Sequence, residues 1–239
     1  MKIIEKLSAK NKDPNGAPPV TLAFLGDSVT QGCFEVYRKG EAAIETEYRL
    51  FDGYSVKLRK LLELLYPAAP VNMIHAGISG GKATQGLKRA ERDVCAYRPD
   101  LTVVSFGLND CKRGPEKLAN YVSALSGIFD LLSACGSEIV FLTPNLMADY
   151  VSFEVADPYL RDLYARIIEE SEPNLPLYVS AAKTLCAEKG VPVCDANALW
   201  QKFRDNGVDV TRLLSNRINH PLPEMHDLAA VLLLQTFFS

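Results

Sequence analysis

The sequence predicts an α/β fold built on a parallel sheet. Short apolar runs alternate with longer stretches of helical periodicity along the 239 residues, which is the pattern of successive βαβ units. Hydrophobic residues make up 48% of the chain, enough to bury a sizeable core. No repeat, low-complexity tract or linker divides the sequence. We therefore expect a single domain over residues 1–239.

Five apolar runs are predicted to be the strands of this sheet. The first follows a Pro-Pro pair, the third follows Pro99-Asp100, and the fourth stops at Pro144. Because the third run is apolar throughout, it is expected to be buried on both faces. The predicted strands are Val20–Leu25, Val71–His75, Leu101–Phe106, Glu138–Leu142 and Val191–Cys194.

The stretches between these strands carry apolar residues at helical spacing. This spacing predicts helices over residues 54–65, 83–97 and 118–129, and a further helix that runs through Leu185. A last helix is expected to begin within Pro221–Pro223. Residues 145–176 do not continue this alternation of strands and helices. Their pattern fits either a helical insertion near a site or ordinary surface structure.

Composition excludes several classes of function. The 26 basic and 29 acidic side chains nearly balance, so nothing indicates binding to nucleic acid or to an anionic membrane. No apolar run approaches the roughly 18 residues needed to span a bilayer. The first 16 residues lack the apolar core of a secretory signal, so we expect a cytoplasmic protein without stable membrane insertion. The six cysteines and three histidines are scattered, which argues against a metal site.

Candidate chemistry follows the first three predicted strands. The first strand runs into a glycine-flanked turn that would expose the hydroxyl of Ser28, although a serine there could also cap the next helix. The second runs into a glycine-rich turn around Gly80, whose backbone N–H groups suit a developing oxyanion. The third is followed by Asn109, which offers an amide donor or, alternatively, a turn residue.

A histidine near the C-terminus completes the set. His220 precedes Pro221 in a loop beyond the fifth strand, and a loop histidine taken alone is usually just solvated. In a doubly wound sheet, however, ligands bind outside the carboxyl ends of the strands, so Ser28, Gly80, Asn109 and His220 can converge there. A nucleophile, a base and oxyanion donors are what acyl transfer requires.

These segments together resemble the sequence blocks of the SGNH hydrolase family, also called GDSL esterases and lipases. The resemblance runs in order along nearly the whole chain. The matching residues are Gly26-Asp27-Ser28 with Gly32, then Gly80, then Gly107-Leu108-Asn109-Asp110, and finally His220-Pro221.

The resemblance implies a three-layer, flavodoxin-like α/β/α fold with five parallel strands in the order 2-1-3-4-5. It also implies that Ser28 is the nucleophile and His220 the base, with an oxyanion hole formed by the N–H groups of Ser28 and Gly80 and the amide of Asn109. A small-molecule ester would be the substrate, and neither a metal nor an organic cofactor is expected.

The chain departs from the family pattern at two positions. The family places an Asp three residues before the histidine, and Arg217 stands there in this sequence. The base could then be oriented by a backbone carbonyl, by Asn216, or by a relocated carboxylate such as Asp209; we expect a dyad without a carboxylate. Many members carry Asn where this chain has His75, which we expect to pack beneath the glycine loop.

Other functions stay open at this point. A non-catalytic binding domain on the same fold, or a flavin- or nucleotide-binding α/β protein, would share the sheet pattern. Among esterases, the absence of a long basic amphipathic stretch favours small soluble esters, including acetylated sugars. Lipase, lysophospholipase and thioesterase activities use the same machinery. The sequence does not determine the acyl length, the leaving group or the oligomeric state.

Overall fold

The computed structural model describes residues 1–41 and 43–239 and shows an α/β architecture. The strands are β1 (Val20–Gly26), β2 (Cys33–Lys39), β3 (Ala43–Tyr48), β4 (Val71–Gly77), β5 (Leu101–Ser105), β6 (Glu138–Leu142) and β7 (Val193–Cys194). The α-helices are α1 (Lys2–Lys12), α2 (Ser28–Gln31), α3 (Tyr54–Leu65), α4 (Ala83–Asp93), α5 (Leu118–Ala134), α6 (Pro158–Ser171), α7 (Leu175–Lys189), α8 (Ala196–Asp205) and α9 (Pro223–Phe238).

Five of these strands form one parallel sheet in the order β4-β1-β5-β6-β7. Numbered among themselves, they run 2-1-3-4-5, which confirms the predicted order and the α/β fold. The last strand is shorter than predicted and comprises Val193–Cys194 alone. Pro192 has no N–H to give to the ladder, although its carbonyl accepts a hydrogen bond from the Phe141 N–H.

Helices cover both faces of the sheet and bury a separate apolar cluster on each. On one face, Phe24 of β1 packs with side chains of α1, α3 and α9. On the other, Leu25 packs with side chains of α4, α5 and α7. Successive residues of a strand point to opposite faces of the sheet, so β1 contributes side chains to both clusters. Among the described residues, no helix is long and apolar enough to cross a membrane.

Residues 145–176 combine an irregular segment with helix α6 and pack against the loop that carries His220. A third apolar cluster joins them, formed with residues of α8 and of the chain around residues 210–218. The Ala148 N–H donates to the Ile218 carbonyl at 2.9 Å, and the Asn145 side-chain amide donates to the Asn219 carbonyl at 3.0 Å. The stretch is therefore partly helical and supports the C-terminal loop; that it is an insertion stays a prediction.

Three elements were not predicted from the sequence. They are helix α1, helix α8 and the antiparallel hairpin formed by β2 and β3. The hairpin lies outside the main sheet and follows directly on the turn that holds Ser28. Its first strand contributes a backbone atom to the site described next.

Candidate active site

Ser28 lies at the junction between the first strand and a short helix. β1 ends at Gly26, and the Asp27 carboxylate caps α2 by accepting the Val29 N–H at 3.0 Å. A Cβ at position 26 would lie 2.1 Å from Thr30 Oγ1 and 2.7 Å from the Ser105 carbonyl oxygen, so only glycine fits this turn. The turn thus places Ser28 at the N-terminus of α2, at the carboxyl edge of the sheet.

His220 meets Ser28 although 192 residues separate them in sequence. Its Nε2 lies 3.0 Å from Ser28 Oγ, and its Nδ1 lies 2.9 Å from the carbonyl oxygen of Phe34 in β2. A carbonyl oxygen can only accept a hydrogen bond, so Nδ1 carries the proton in the neutral ring. Nε2 is then the acceptor for the serine hydroxyl, which is the tautomer that a general base needs.

The environment of His220 favours its neutral form. The imidazole is only 4% exposed, and burial lowers its pKa to about 4, with the Lys112 charge adding to the decrease and the Phe34 carbonyl opposing it. The sequence alone predicts a value near 6.5. Because the ring is neutral at pH 7, it can accept the serine proton across a wide pH range.

The loop that carries His220 is held by an asparagine. Asn216 Oδ1 accepts three backbone N–H groups, from Ile218 at 3.1 Å, Asn219 at 3.0 Å and His220 at 2.9 Å. Arg217, which stands where the family has Asp, adopts a positive φ of 57° and pairs with Glu154. Asn216 therefore fixes the backbone of the loop, and Arg217 is directed away to the insertion.

The carbonyl group that contacts His220 belongs to a residue with a well-packed ring. The Phe34 ring is fully buried, with the Arg49 guanidinium 4.2 Å from its centroid on one side. The His226 ring lies 5.0 Å away, and its Nδ1 accepts the Tyr54 N–H at 3.1 Å. Burial lowers the pKa of His226 to about 3, so its ring is neutral at pH 7. This neutral ring packs against Phe34, whose carbonyl group contacts His220.

The glycine loop after β4 lies against the serine helix. A Cβ at Gly77 would stand 2.4 Å from the Gln31 nitrogen, which shows how closely the two segments approach. The Ser79 N–H donates to Gln31 Oε1 and the Gly81 N–H to the Ile78 carbonyl, whereas the Gly80 N–H between them has no partner in the part of the chain described. Gly80 has a φ of +72°, and a Cβ there would meet nothing within 4 Å, so the space beside this residue is open.

Asn109 lies next to the same loop. Its side-chain amide donates to the Gly81 carbonyl at 3.2 Å, and the Lys112 ammonium donates to its Oδ1 at 3.3 Å. These two contacts fix which end of the amide faces the glycine loop. The second N–H of the amide remains available to a ligand beside Gly80.

Two buried carboxyl groups surround the site without reaching the imidazole. Burial raises the pKa of Asp27 to about 7 and that of Asp110 to about 6, and Lys112 opposes the shift at Asp27. Asp110 Oδ1 accepts the Ala83 N–H at 3.0 Å, which ties the start of α4 to the end of the Asn109 loop. Both groups thus act as caps; at pH 7 these pKa values leave Asp27 about half ionised and Asp110 mostly ionised.

The remaining candidates from the sequence lie elsewhere. Asp209 accepts a hydrogen bond from the Tyr150 hydroxyl at 2.6 Å rather than from His220. His75 is an exposed residue of edge strand β4, with its ring stacked near Phe24 and 3.4 Å from Ser55 Oγ. It therefore does not pack beneath the glycine loop, because its side chain leaves the strand toward α3.

Two contributors to the site were not singled out from the sequence. The Phe34 carbonyl could not be, because every residue has one and the hairpin that places it was not predicted. Lys112 could have been noticed, since it lies three residues after Asn109 and a short 3-10 turn (Cys111–Arg113) brings such positions together.

Comparisons with known proteins agree with the fold. The model of the GDSL-like Lipase/Acylhydrolase family matches residues 24–228, which include Ser28, Gly80, Asn109 and His220. An acetylxylan esterase of Geobacillus stearothermophilus is 29% identical over 170 residues, covering 66% of this chain and 74% of the relative.

Solved structures show the same architecture. A crystal structure of an acetylxylan esterase from Geobacillus stearothermophilus superposes with a TM-score of 0.65 at 22% identity, covering 91% of this chain and 93% of the other. A two-domain esterase active on acetylated mannans gives a TM-score of 0.67 at 16% identity, with 99% of this chain matched to 52% of that protein.

Proposed function

Because the chain belongs to the GDSL-like lipase/acylhydrolase family, and is therefore a carboxylic ester hydrolase, we propose that it deacylates small carbohydrate esters through an acyl-enzyme on Ser28. The observation that carries this proposal is the chain of contacts from Ser28 Oγ to His220 Nε2, and from His220 Nδ1 to the Phe34 carbonyl. It supplies a nucleophile, a base in the correct tautomer and a fixed orientation for that base.

In the first half-reaction, Ser28 Oγ attacks the ester carbonyl carbon while His220 Nε2 takes the hydroxyl proton. The resulting imidazolium keeps its Nδ1–H on the Phe34 carbonyl, a dipole rather than a full charge. When the tetrahedral intermediate collapses, Nε2 gives its proton to the leaving alkoxide, and the acyl group stays on the serine. Water activated by the same nitrogen then releases the acid and restores Ser28.

Three donors would hold the oxyanion during both steps. The Ser28 N–H lies in the first turn of α2, where backbone N–H groups lack helical partners. The Gly80 N–H is free, and the Asn109 amide is locked in place by Lys112 and the Gly81 carbonyl. Rigid donors of this kind stabilise the transition state without having to reorganise.

The choice of acetylated carbohydrates rests on similarity rather than on the geometry of the site. The relative that shares 29% identity is named as an acetylxylan esterase, and one solved neighbour is described as active on acetylated mannans. Net charge adds nothing in favour of a lipid surface, since the chain carries −3.

The experiment that tests the mechanism compares Ser28→Ala with Ser180→Ala, a control at an exposed serine of α7. Ser28→Ala should lower turnover of 4-nitrophenyl acetate by several powers of ten and abolish labelling by a serine-directed phosphonate. Ser180→Ala should retain both. A Ser28→Ala enzyme with even a tenth of the original activity would exclude Ser28 as the nucleophile.

The experiment that tests the substrate class is a panel of esters. Acetylated xylo- and manno-oligosaccharides are compared with 4-nitrophenyl esters of increasing acyl length and with an acyl thioester. We expect the highest kcat/KM on the acetylated sugars. A higher value on long-chain acyl esters or on the thioester would replace the carbohydrate assignment with a lipase or a thioesterase.

A further inference from the structure

A cavity of about 290 Å³ opens beside the two predicted oxyanion residues. Lys82, at its rim, directly follows Gly81, and Asp110, also at the rim, directly follows Asn109. Gly81 itself lies against Asp27, since a Cβ there would be 3.7 Å from the Asp27 Cα. The cavity therefore adjoins the glycine loop and the Asn109 loop, the two segments that flank the candidate site.

The lining of the cavity is cationic, in contrast to the chain as a whole. Lys82 comes from the glycine loop, and Arg113 and Lys117 come from the two short 3-10 turns before α5. None of the three forms an ion pair with any described residue. Thr84 and Asn120 add neutral polar groups. Unpaired cations concentrated in one cleft focus a positive potential on it.

The acidic groups nearby do not neutralise these cations. Asp110 is 5% exposed, its Oδ1 is used by the Ala83 N–H, and its Oδ2 has no partner among the described residues. Burial raises the pKa of this carboxyl group to about 6, so at pH 7 it supplies one negative charge, fewer than the three cations of the lining supply together. The Glu116 carboxylate lies against Gly114 and is not part of the lining, which therefore carries an excess of positive charge.

We propose that this cavity binds an anionic group of the ester substrate, a carboxylate or a phosphate, so that the enzyme prefers acidic acylated sugars to neutral ones. The inference rests on the proposed function, in that it takes the neighbouring Ser28 as the reacting group. It goes beyond that function by naming the charge of the substrate and the side chains that select it. Lys82, Arg113 and Lys117 would share the anion.

The test measures kcat/KM for paired substrates that differ only in charge. An acetylated methyl glucuronide and an acetylated glucose 6-phosphate are each compared with the acetylated methyl glucoside. We expect at least one acidic substrate to be favoured by about tenfold at low salt, because several cations act together. Whichever acid shows the preference identifies the group as a carboxylate or a phosphate. Equal values for all three substrates would overturn the proposal.

Variants assign the preference to the cavity. In Arg113→Gln/Lys117→Gln the ratio of acidic to neutral kcat/KM should fall to near one, and in Lys82→Gln it should fall partway. Lys88→Gln, which removes an exposed charge from α4 outside the cavity, should keep the full ratio. A ratio unchanged in the double variant would show that the anion binds elsewhere.

A binding measurement separates this proposal from the catalytic one. Calorimetry on the Ser28→Ala protein, with methyl glucuronide and inorganic phosphate as probes, needs no turnover. Binding that weakens in Arg113→Gln/Lys117→Gln supports the anion site even if no ester in the panel is hydrolysed. Absence of binding by both probes, together with full activity on neutral sugars, would overturn the anion site and leave the esterase proposal intact.

Discussion

The Nδ1 atom of His220 and the carbonyl oxygen of Phe34 lie 2.9 Å apart, in the place where a charged acid would complete a triad. We expect no carboxylate to share this role. Asp209→Asn should keep activity within about threefold of the original enzyme, whereas His220→Ala should lose roughly 10³–10⁴-fold. The measurement is kcat/KM on 4-nitrophenyl acetate. A single carboxylate variant as inactive as His220→Ala would reveal a relocated triad acid.

The pH dependence of kcat/KM should reflect the low pKa of His220. The base works when neutral, so activity is lost as pH falls through its pKa, and burial brings that pKa to about 4. We expect a flat profile from pH 8 to about pH 5 and a decline near pH 4. Return of each sample to pH 7 checks that acid has not unfolded the protein. A midpoint near pH 6.5 would mean that the ring is solvated in solution.

Removal of the Asn109 amide should slow the chemical step more than it weakens binding. One oxyanion donor is typically worth about 10²–10³ in kcat, so Asn109→Ala should lower kcat by that factor with KM changed little. Asn72→Ala on the edge strand serves as a control at an exposed asparagine. If Asn109→Ala raised KM alone, the side chain would be a substrate contact or a cap.

Lys112 should act by positioning Asn109 and by its charge. Lys112→Gln is expected to lower kcat by about tenfold, since a charged hydrogen-bond donor to Asn109 Oδ1 is lost. It should also raise the pH midpoint of activity, because the ammonium lowers the pKa of His220. Lys112→Arg should largely restore both. A change in kcat with no shift in the pH profile would contradict the electrostatic part of this account.

His226 should make stability dependent on pH. Its folded pKa of about 3 lies below the unfolded value of 6.5, so only the unfolded state gains a proton between these pH values. Relative to His226→Asn, the original protein should therefore lose about 1.4 kcal/mol of unfolding free energy per pH unit below 6.5.

Urea unfolding at pH 8 and pH 5 measures this difference. Asn at position 226 keeps an acceptor for the Tyr54 N–H and leaves Asp27 and Asp110 present in both proteins, so their opposite pH effects cancel. A difference in unfolding free energy that stays constant between the two pH values would show that His226 is protonated in the folded state.

Much of the fold could be predicted because periodicity and strand termini are local properties of the sequence. The strand order followed from a resemblance, and the residues at the carboxyl ends of β1, β4 and β5 converge as parallel topology requires. Helix α1 was missed because its charged residues hide a narrow apolar stripe, of which Ile3 and Leu7 are buried. The hairpin was not predicted because most of its side chains are exposed, so its strands lack the alternation of apolar and polar residues that a half-buried strand shows.

The sequence singles out side chains of the candidate site but not its backbone contributors. Ser28 and His220 are predicted from their residue types and motifs, and the structure places Ser28 Oγ 3.0 Å from His220 Nε2. The pKa of His220 could not be anticipated, because it depends on burial under segments distant in sequence. Likewise, the presence of Arg217 does not indicate that His220 Nδ1 contacts the carbonyl group of Phe34.

The acceptor for His220 Nδ1 is a backbone oxygen, which no side-chain substitution removes. Any residue substituted for Phe34 would bring the same carbonyl group, so a substitution acts on this oxygen only through the loss of packing of the buried ring. The position of this carbonyl oxygen depends instead on the geometry of the backbone. A proline at Glu35 or a deletion in the β2–β3 hairpin would displace the carbonyl oxygen while leaving Ser28 and His220 unaltered. The orientation of the His220 ring thus depends on the shape of the hairpin rather than on the identity of one side chain.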